Sequence, residues 1–206
     1  MTDRDLIRHH WPIDLRPAFD ALFGLDDVMA EVVASSTQPA LGAIRLAWWR
    51  EALERLDHHP PPPEPRLTAA AAELVPRGVT GAMLSGLEDG YATLLDERPD
   101  GDRLGDSGSA LFAIGARLLG ASDDMLPAAG RIHAFARAAR MGLAAVPEDF
   151  TLGALAGHRF PRALRPLTAF ARLAARDVAR APKLEVEATP ARALALLAHR
   201  LSGTVS

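Results

Sequence analysis

A chain of 206 residues, 49% apolar and 24% charged, can bury a core of its own and has the make-up of one globular domain. A net charge of −3 gives no overall reason to bind nucleic acid, and the absence of cysteine excludes a disulfide framework, thiolate catalysis and sulfur-ligated zinc. No apolar run approaches the roughly 20 residues that cross a bilayer, and Met1 to His10 is charged where a secretory leader would be apolar, so a cytoplasmic protein is expected.

The chain reads as helices punctuated by Pro and Gly, without a persuasive period-two pattern. A first helix is predicted from Arg16 to Ala34, with Pro17 in its opening turn. It carries Asp26, Asp27 and Glu31. Asp27 and Glu31 are four apart, the spacing at which two carboxylates on one face can hold Mg²⁺ with water and a diphosphate. Solvated charges at this spacing are common too, and Asp26 has Ala30 where its own partner would stand.

A second helix is predicted from Pro39 to Leu56, capped by Thr37 or Gln38, with Glu51 and Arg55 as a favourable i,i+4 pair. It contains Arg45, Trp48, Trp49 and Arg50. Adjacent indoles point about 100° apart on a helix, so this one is expected in the middle of the bundle, packed on both flanks. Both rings serving only as core is the plainer reading.

His58-His59 and four consecutive prolines then form an extended connector over 58–66. Leu67 to Leu74 makes a short helix, Thr80 caps a longer one running to Leu94, and Asp96 to Ser107 is a polar loop. Leu111, Ile114, Leu118 and Leu119 lie on a helix that Gly120 closes. Ser122 caps the next, which holds Met125, Ile132, Phe135 and Met141, with Asp123 and Asp124 complementing its dipole. After a loop from Pro147 to Gly157, Pro161 opens a helix with Leu164, Leu167, Ala171, Ala174 and Val178 on one stripe. Thr189-Pro190 starts the last helix, which ends at Gly203. The prediction is an all-α fold, a single bundle of seven or eight helices. His9-His10 and His58-His59 are adjacent rather than i,i+4 and carry no expectation of metal. Arginines crowd the carboxyl-terminal third, where Arg172 and Arg176 stack with Arg165 and Arg180 on one side; a solvated face is the usual explanation.

Three segments carry a resemblance: Ala21 to Asp27, Leu41 to Leu53 with its Arg-x-x-Trp-Trp core, and Ala188 to Leu197. Together they resemble a divergent, shortened member of the squalene/phytoene synthase family. The resemblance implies an isoprenoid-synthase fold, in which active members join prenyl diphosphates head to head with Mg²⁺ held by two facing acidic motifs. The first motif falls on Asp26 to Glu31, with Ala30 in place of an inner Asp. The second falls on Arg131 to Gly142, which has no carboxylate. A branch of the family without intact acidic motifs is associated with assembly of respiratory complex I. The resemblance therefore implies a protein without catalysis or cofactor, using Arg45, Trp48, Trp49 and Arg50 toward an isoprenoid-like lipid or a protein partner. At most it implies a peripheral contact with the inner membrane, and no nucleic acid. The alternatives are a Mg²⁺-dependent prenyl diphosphate transferase using Asp26, Asp27 and Glu31, and an interaction module with no small ligand.

Overall fold

The computed structural model describes residues 1–147 and 150–205. Among these the regular structure is helical, with one isolated bridge between Arg159 and Thr204. The α-helices are α1 (Asp3–Arg8), α2 (Arg16–Ser35), α3 (Pro39–Glu54), α4 (Pro65–Glu73), α5 (Gly81–Ser85), α6 (Glu88–Ala92), α7 (Gly101–Leu118), α8 (Leu126–Arg140), α9 (Arg165–Val178) and α10 (Pro190–Ser202). None is long and apolar enough to cross a membrane.

Helix α2 is central. Phe19, Leu22, Phe23, Leu25, Asp26, Met29 and Val32 are all buried, more of the circumference than a one-sided surface helix would hide. Helices α3, α4 and α6 pack on or near it, and α7 leads to α8, α9 and then α10. The closest crossing is α7 on α8. A Cβ on Gly108 would stand 2.3 Å from the carbonyl oxygen of Gly130, and one on Gly130 would stand 2.3 Å from that of Gly108. Only glycine at both positions lets the two backbones approach this far.

A buried ion network joins the two ends of the chain. Arg192 on α10 donates from Nε to Asp3 Oδ1 at 2.9 Å and from Nη1 to Asp177 Oδ1 at 2.7 Å. Arg140 holds the same Asp177 in a two-pronged grip at 2.7 and 2.6 Å. Asp3 also accepts from the Ala188 backbone at 2.9 Å, fixing the approach to α10.

Several predicted elements form as expected. Pro17 sits in the first turn of α2, Thr80 accepts from Met83 N, and Thr189 accepts from Arg192 N. Gly120 and Gly203 end α7 and α10 with φ of +61° and +79°. Others differ. The expected seven or eight helices become ten α-helices, joined in places by 3₁₀ turns, among the described residues. The six-residue α1 arises from a capping box between Thr2 and Asp5. The helix expected from Thr80 to Leu94 divides into α5 and α6 because the chain tightens at Gly86, where Leu87 N donates to Leu84 O, an i→i−3 bond.

The polar loop expected from Asp96 to Ser107 is overturned over its second half. Asp100 caps α7 by accepting from Asp102 and Arg103 N, and Leu104, Gly105 and Ser107 are buried while Asp102 and Asp106 face water. Helix α8 begins at Leu126, not Ser122, because Asp123 accepts from Met125 N and Pro127 occupies the first turn. The proline connector ends at Glu64, whose carboxylate caps α4, so Pro65 and Arg66 are helical. Arg55 forms no ion pair with Glu51 although its N–H still bonds the Glu51 carbonyl, because both side chains are exposed and an exposed pair gains little from closing. Part of the loop expected from Pro147 to Gly157, namely Glu148 and Asp149, lies outside the described residues.

Candidate functional site

Adjacent residues on a helix diverge, yet α2 is deep enough in the bundle that Asp26 and Asp27 both meet partners from other helices. Asp26 is buried, and Asp27 reaches the edge of a cavity. Burying a carboxylate without compensation is strongly unfavourable. The compensation comes from α8: Arg137 Nη2 donates to Asp27 Oδ1 at 2.8 Å, and its Nε lies 3.0 Å from Asp26 Oδ2. That Nε–H is aimed at the Tyr91 hydroxyl, 3.2 Å away, and Tyr91 in turn donates to Asp26 Oδ1 in a short bond. Asp26 Oδ2 therefore has the guanidinium's charge beside it but no aligned donor. From α1, Arg4 pairs with the other oxygen of Asp27 and lies 5.5 Å over the Phe23 ring.

The electrostatics follow from burial. Desolvation raises the Asp26 pKa, opposed first by the charge of Arg137 and then by the Tyr91 hydrogen bond. The same burial drives the Tyr91 hydroxyl well above its ordinary range, so it stays a donor. Arg137 remains charged, because Asp26, Tyr91 and Asp27 together outweigh its own desolvation.

One turn before Arg137, His133 is buried between the rings of Phe23, Phe112 and Phe170, with centroids 6.2, 5.6 and 5.2 Å away. Burial, and then Arg137, push its pKa down to about 3, so it is a neutral imidazole whose Nε2 has no partner. His133, Arg137 and Arg140 share one face of α8. They line a cavity of about 160 Å³ between α1, α2, α8 and α9, with Phe23, Phe170 and Leu173 among its apolar walls.

The carboxylates predicted as metal ligands separate into two places. Glu31, one turn beyond Asp27, is turned toward α4, where Arg66 Nη2 lies 3.1 Å away, and it does not line the cavity. With Asp26 and Asp27 engaged by Arg137, Tyr91 and Arg4, this donor set does not fit Mg²⁺, which needs carboxylate oxygens free to enter an octahedron. Among the described residues no group of three or more His, Asp or Glu is arranged to hold a metal.

The tryptophan helix lies elsewhere. Trp49 points inward at 6% exposure while Trp48 stands 47% exposed, the rings meeting edge to face at 5.2 Å. The expected placement in the middle of the bundle is corrected: α3 is at the edge, covered on its inner side by α2, α5 and α6. Its outward side presents Leu41, Ile44 and Trp48, with Arg45 donating to Ser35 Oγ at 3.2 Å. Arg50 is exposed, near enough to Glu88 to oppose the rise that burial imposes on its pKa. None of these residues lines the α1–α2–α8–α9 cavity.

Sequence reasoning did not single out Arg4, Tyr91 or His133, and it met Arg137 only as one of many arginines. The available signal was the i, i+4, i+7 spacing of His133, Arg137 and Arg140 along the apolar side of α8. The stacked arginines of α9 are occupied: Arg172 donates to Val205 O at 2.6 Å, Arg176 holds Glu185, and Arg165 grips the last carbonyls of α10. Comparison with protein-family models, curated proteins and solved structures finds no match.

Proposed function

We propose that this is a non-catalytic, squalene/phytoene synthase-like helical protein that works by contact with a protein partner. The observation that carries the reading is the guanidinium of Arg137 between Asp26 and Asp27. In a metal-dependent prenyl transferase, cations offset the charge of departing pyrophosphate, and the carboxylates exist to hold those cations. Here a side chain from α8 supplies the positive charge permanently, and Arg4 supplies a second. The competing reading, a Mg²⁺-dependent head-to-head prenyl diphosphate transferase, requires Asp26, Asp27 and Glu31 to act together, and their engagement with three different arginines weighs against it.

The size of the α1–α2–α8–α9 cavity favours a protein partner over an isoprenoid-like lipid bound there. About 160 Å³ is below the roughly 300–1,000 Å³ of small-molecule pockets. The outward side of α3 supports the same choice, since a helix apolar on both sides is one that something covers on both sides. Incubation with Mg²⁺ and farnesyl or geranylgeranyl diphosphate tests the reading. It predicts no pyrophosphate release and no thermal stabilisation. Sustained release that Asp27→Asn abolishes would overturn it.

A further inference from the structure

The outward half of α10 is apolar except at Arg200 in its last turn. Leu194, Leu197 and Leu201 are 66%, 51% and 74% exposed, and Pro190, Ala191 and Ala198 are exposed beside them. The opposite side, with Arg192, Ala195, Leu196 and His199, is the one held to the body by α9 and α1. A single exposed leucine is ordinary, whereas a continuous stripe marks a contact surface. Arg200 is the only charged residue on the exposed side of the helix.

The distribution of charge indicates what covers this stripe. From residue 150 onward the sequence has nine cations and three acids, Asp177, Glu185 and Glu187, although the whole chain is net −3. Asp177 is buried under Arg140 and Arg192, and Glu185 is paired with Arg176. Among the described residues Arg159, Arg162 and Arg200 are exposed and form no ion pair. They gather at the carboxyl end of α10. Phe160 N donates to Gly203 O at 3.0 Å, Arg159 bridges Thr204, and Arg165 donates to the carbonyls of Arg200 and Leu201 at 2.9 and 3.0 Å.

We propose that α10 and the adjoining segment 159–165 dock on a membrane surface rich in anionic phospholipid. Leu194, Leu197 and Leu201 reach the acyl boundary, and Arg159, Arg162 and Arg200 meet the phosphates. Neither signal suffices alone: three leucines bury little area, and three guanidiniums are screened by salt. Combined, apolar insertion and attraction to anionic headgroups add, as they do for amphipathic helices lying in a membrane interface. A second copy fits less well, because pairing this face with itself would set like charges against each other. A folded protein partner also fits less well, since the leucines stand out from a convex helix and line neither the α1–α2–α8–α9 cavity nor the shallow hollow between α2 and α4. The inference goes beyond the proposed function and holds whether or not that reading stands.

Co-sedimentation with vesicles of phosphatidylcholine alone, and of phosphatidylcholine with an equal part of phosphatidylglycerol, tests it. The wild-type chain is expected to sediment with the anionic vesicles only, and molar salt is expected to release it. Arg159→Gln/Arg162→Gln/Arg200→Gln should weaken binding on the order of a hundredfold. Leu197→Glu/Leu201→Glu should abolish it, with the circular dichroism of both variants unchanged. Three results would overturn the proposal: no sedimentation of the wild type, equal binding to both vesicle types, or a solution dimer that Leu197→Glu makes monomeric.

Discussion

Tyr91 donates to Asp26 while accepting from Arg137, so one hydroxyl sets the positions of both charges. Removing the cation should be far worse than removing the whole cluster. Arg137→Met leaves Asp26 buried without its counter-charge and is expected to lower stability by about 3–5 kcal/mol in urea unfolding. Adding Asp26→Asn and Asp27→Asn to that variant should recover most of the loss. The pH dependence separates two further residues. Asp26 has a raised pKa in the fold, so its contribution is complete below the unfolded value near 3.8 and is lost as pH climbs through the raised one. Asp26→Asn should therefore be better tolerated at pH 7 than at pH 4. His133 is the opposite case. Its pKa falls from 6.5 to about 3, so its contribution is complete above about pH 6.5 and is lost as pH falls toward 3. His133→Phe should remove that part of the acid sensitivity, an effect of up to roughly 5 kcal/mol, read from the difference between the two stability–pH curves.

At the scale of elements, the α7–α8 crossing rests on the absence of two side chains. Gly108→Ala would push a methyl onto the Gly130 carbonyl, and backbone cannot move aside as a flexible side chain can. A loss of about 1–3 kcal/mol or more is expected by thermal or urea unfolding, against little change for Gly24→Ala, where no atom lies within 4 Å. This crossing also shows why part of the fold was hard to read. Helices α2 and α10 announce themselves by a proline in the first turn and, for α10, a cap and a terminal glycine, all local signals. The start of α7 does not: Gly101, Gly105, Ser107 and Gly108 have the composition of a loop and become helical because α6 and α8 need small residues there. The site divides the same way. Asp26, Asp27 and Trp49 are visible in sequence as types and spacings, but the pairing of Asp27 with Arg137, 110 residues away, depends on tertiary packing.

For the whole molecule, the Asp3–Arg192–Asp177–Arg140 network makes the first and last helices parts of one structure. Arg192→Leu should strand the buried carboxylate of Asp3 while Asp177 keeps Arg140, at about 3–5 kcal/mol, and should expose the amino terminus to protease before any other segment. The same arrangement, arginines answering carboxylates inside the bundle, underlies the functional account, in which Arg137 and Arg4 stand where a metal-dependent enzyme would recruit cations. The most direct test is a titration of the purified protein with Mn²⁺ in the presence of pyrophosphate, followed by electron paramagnetic resonance. The account predicts that the spectrum of Mn²⁺–pyrophosphate is unchanged by the protein. Stoichiometric capture of the ion, lost in Asp26→Asn/Asp27→Asn, would contradict it.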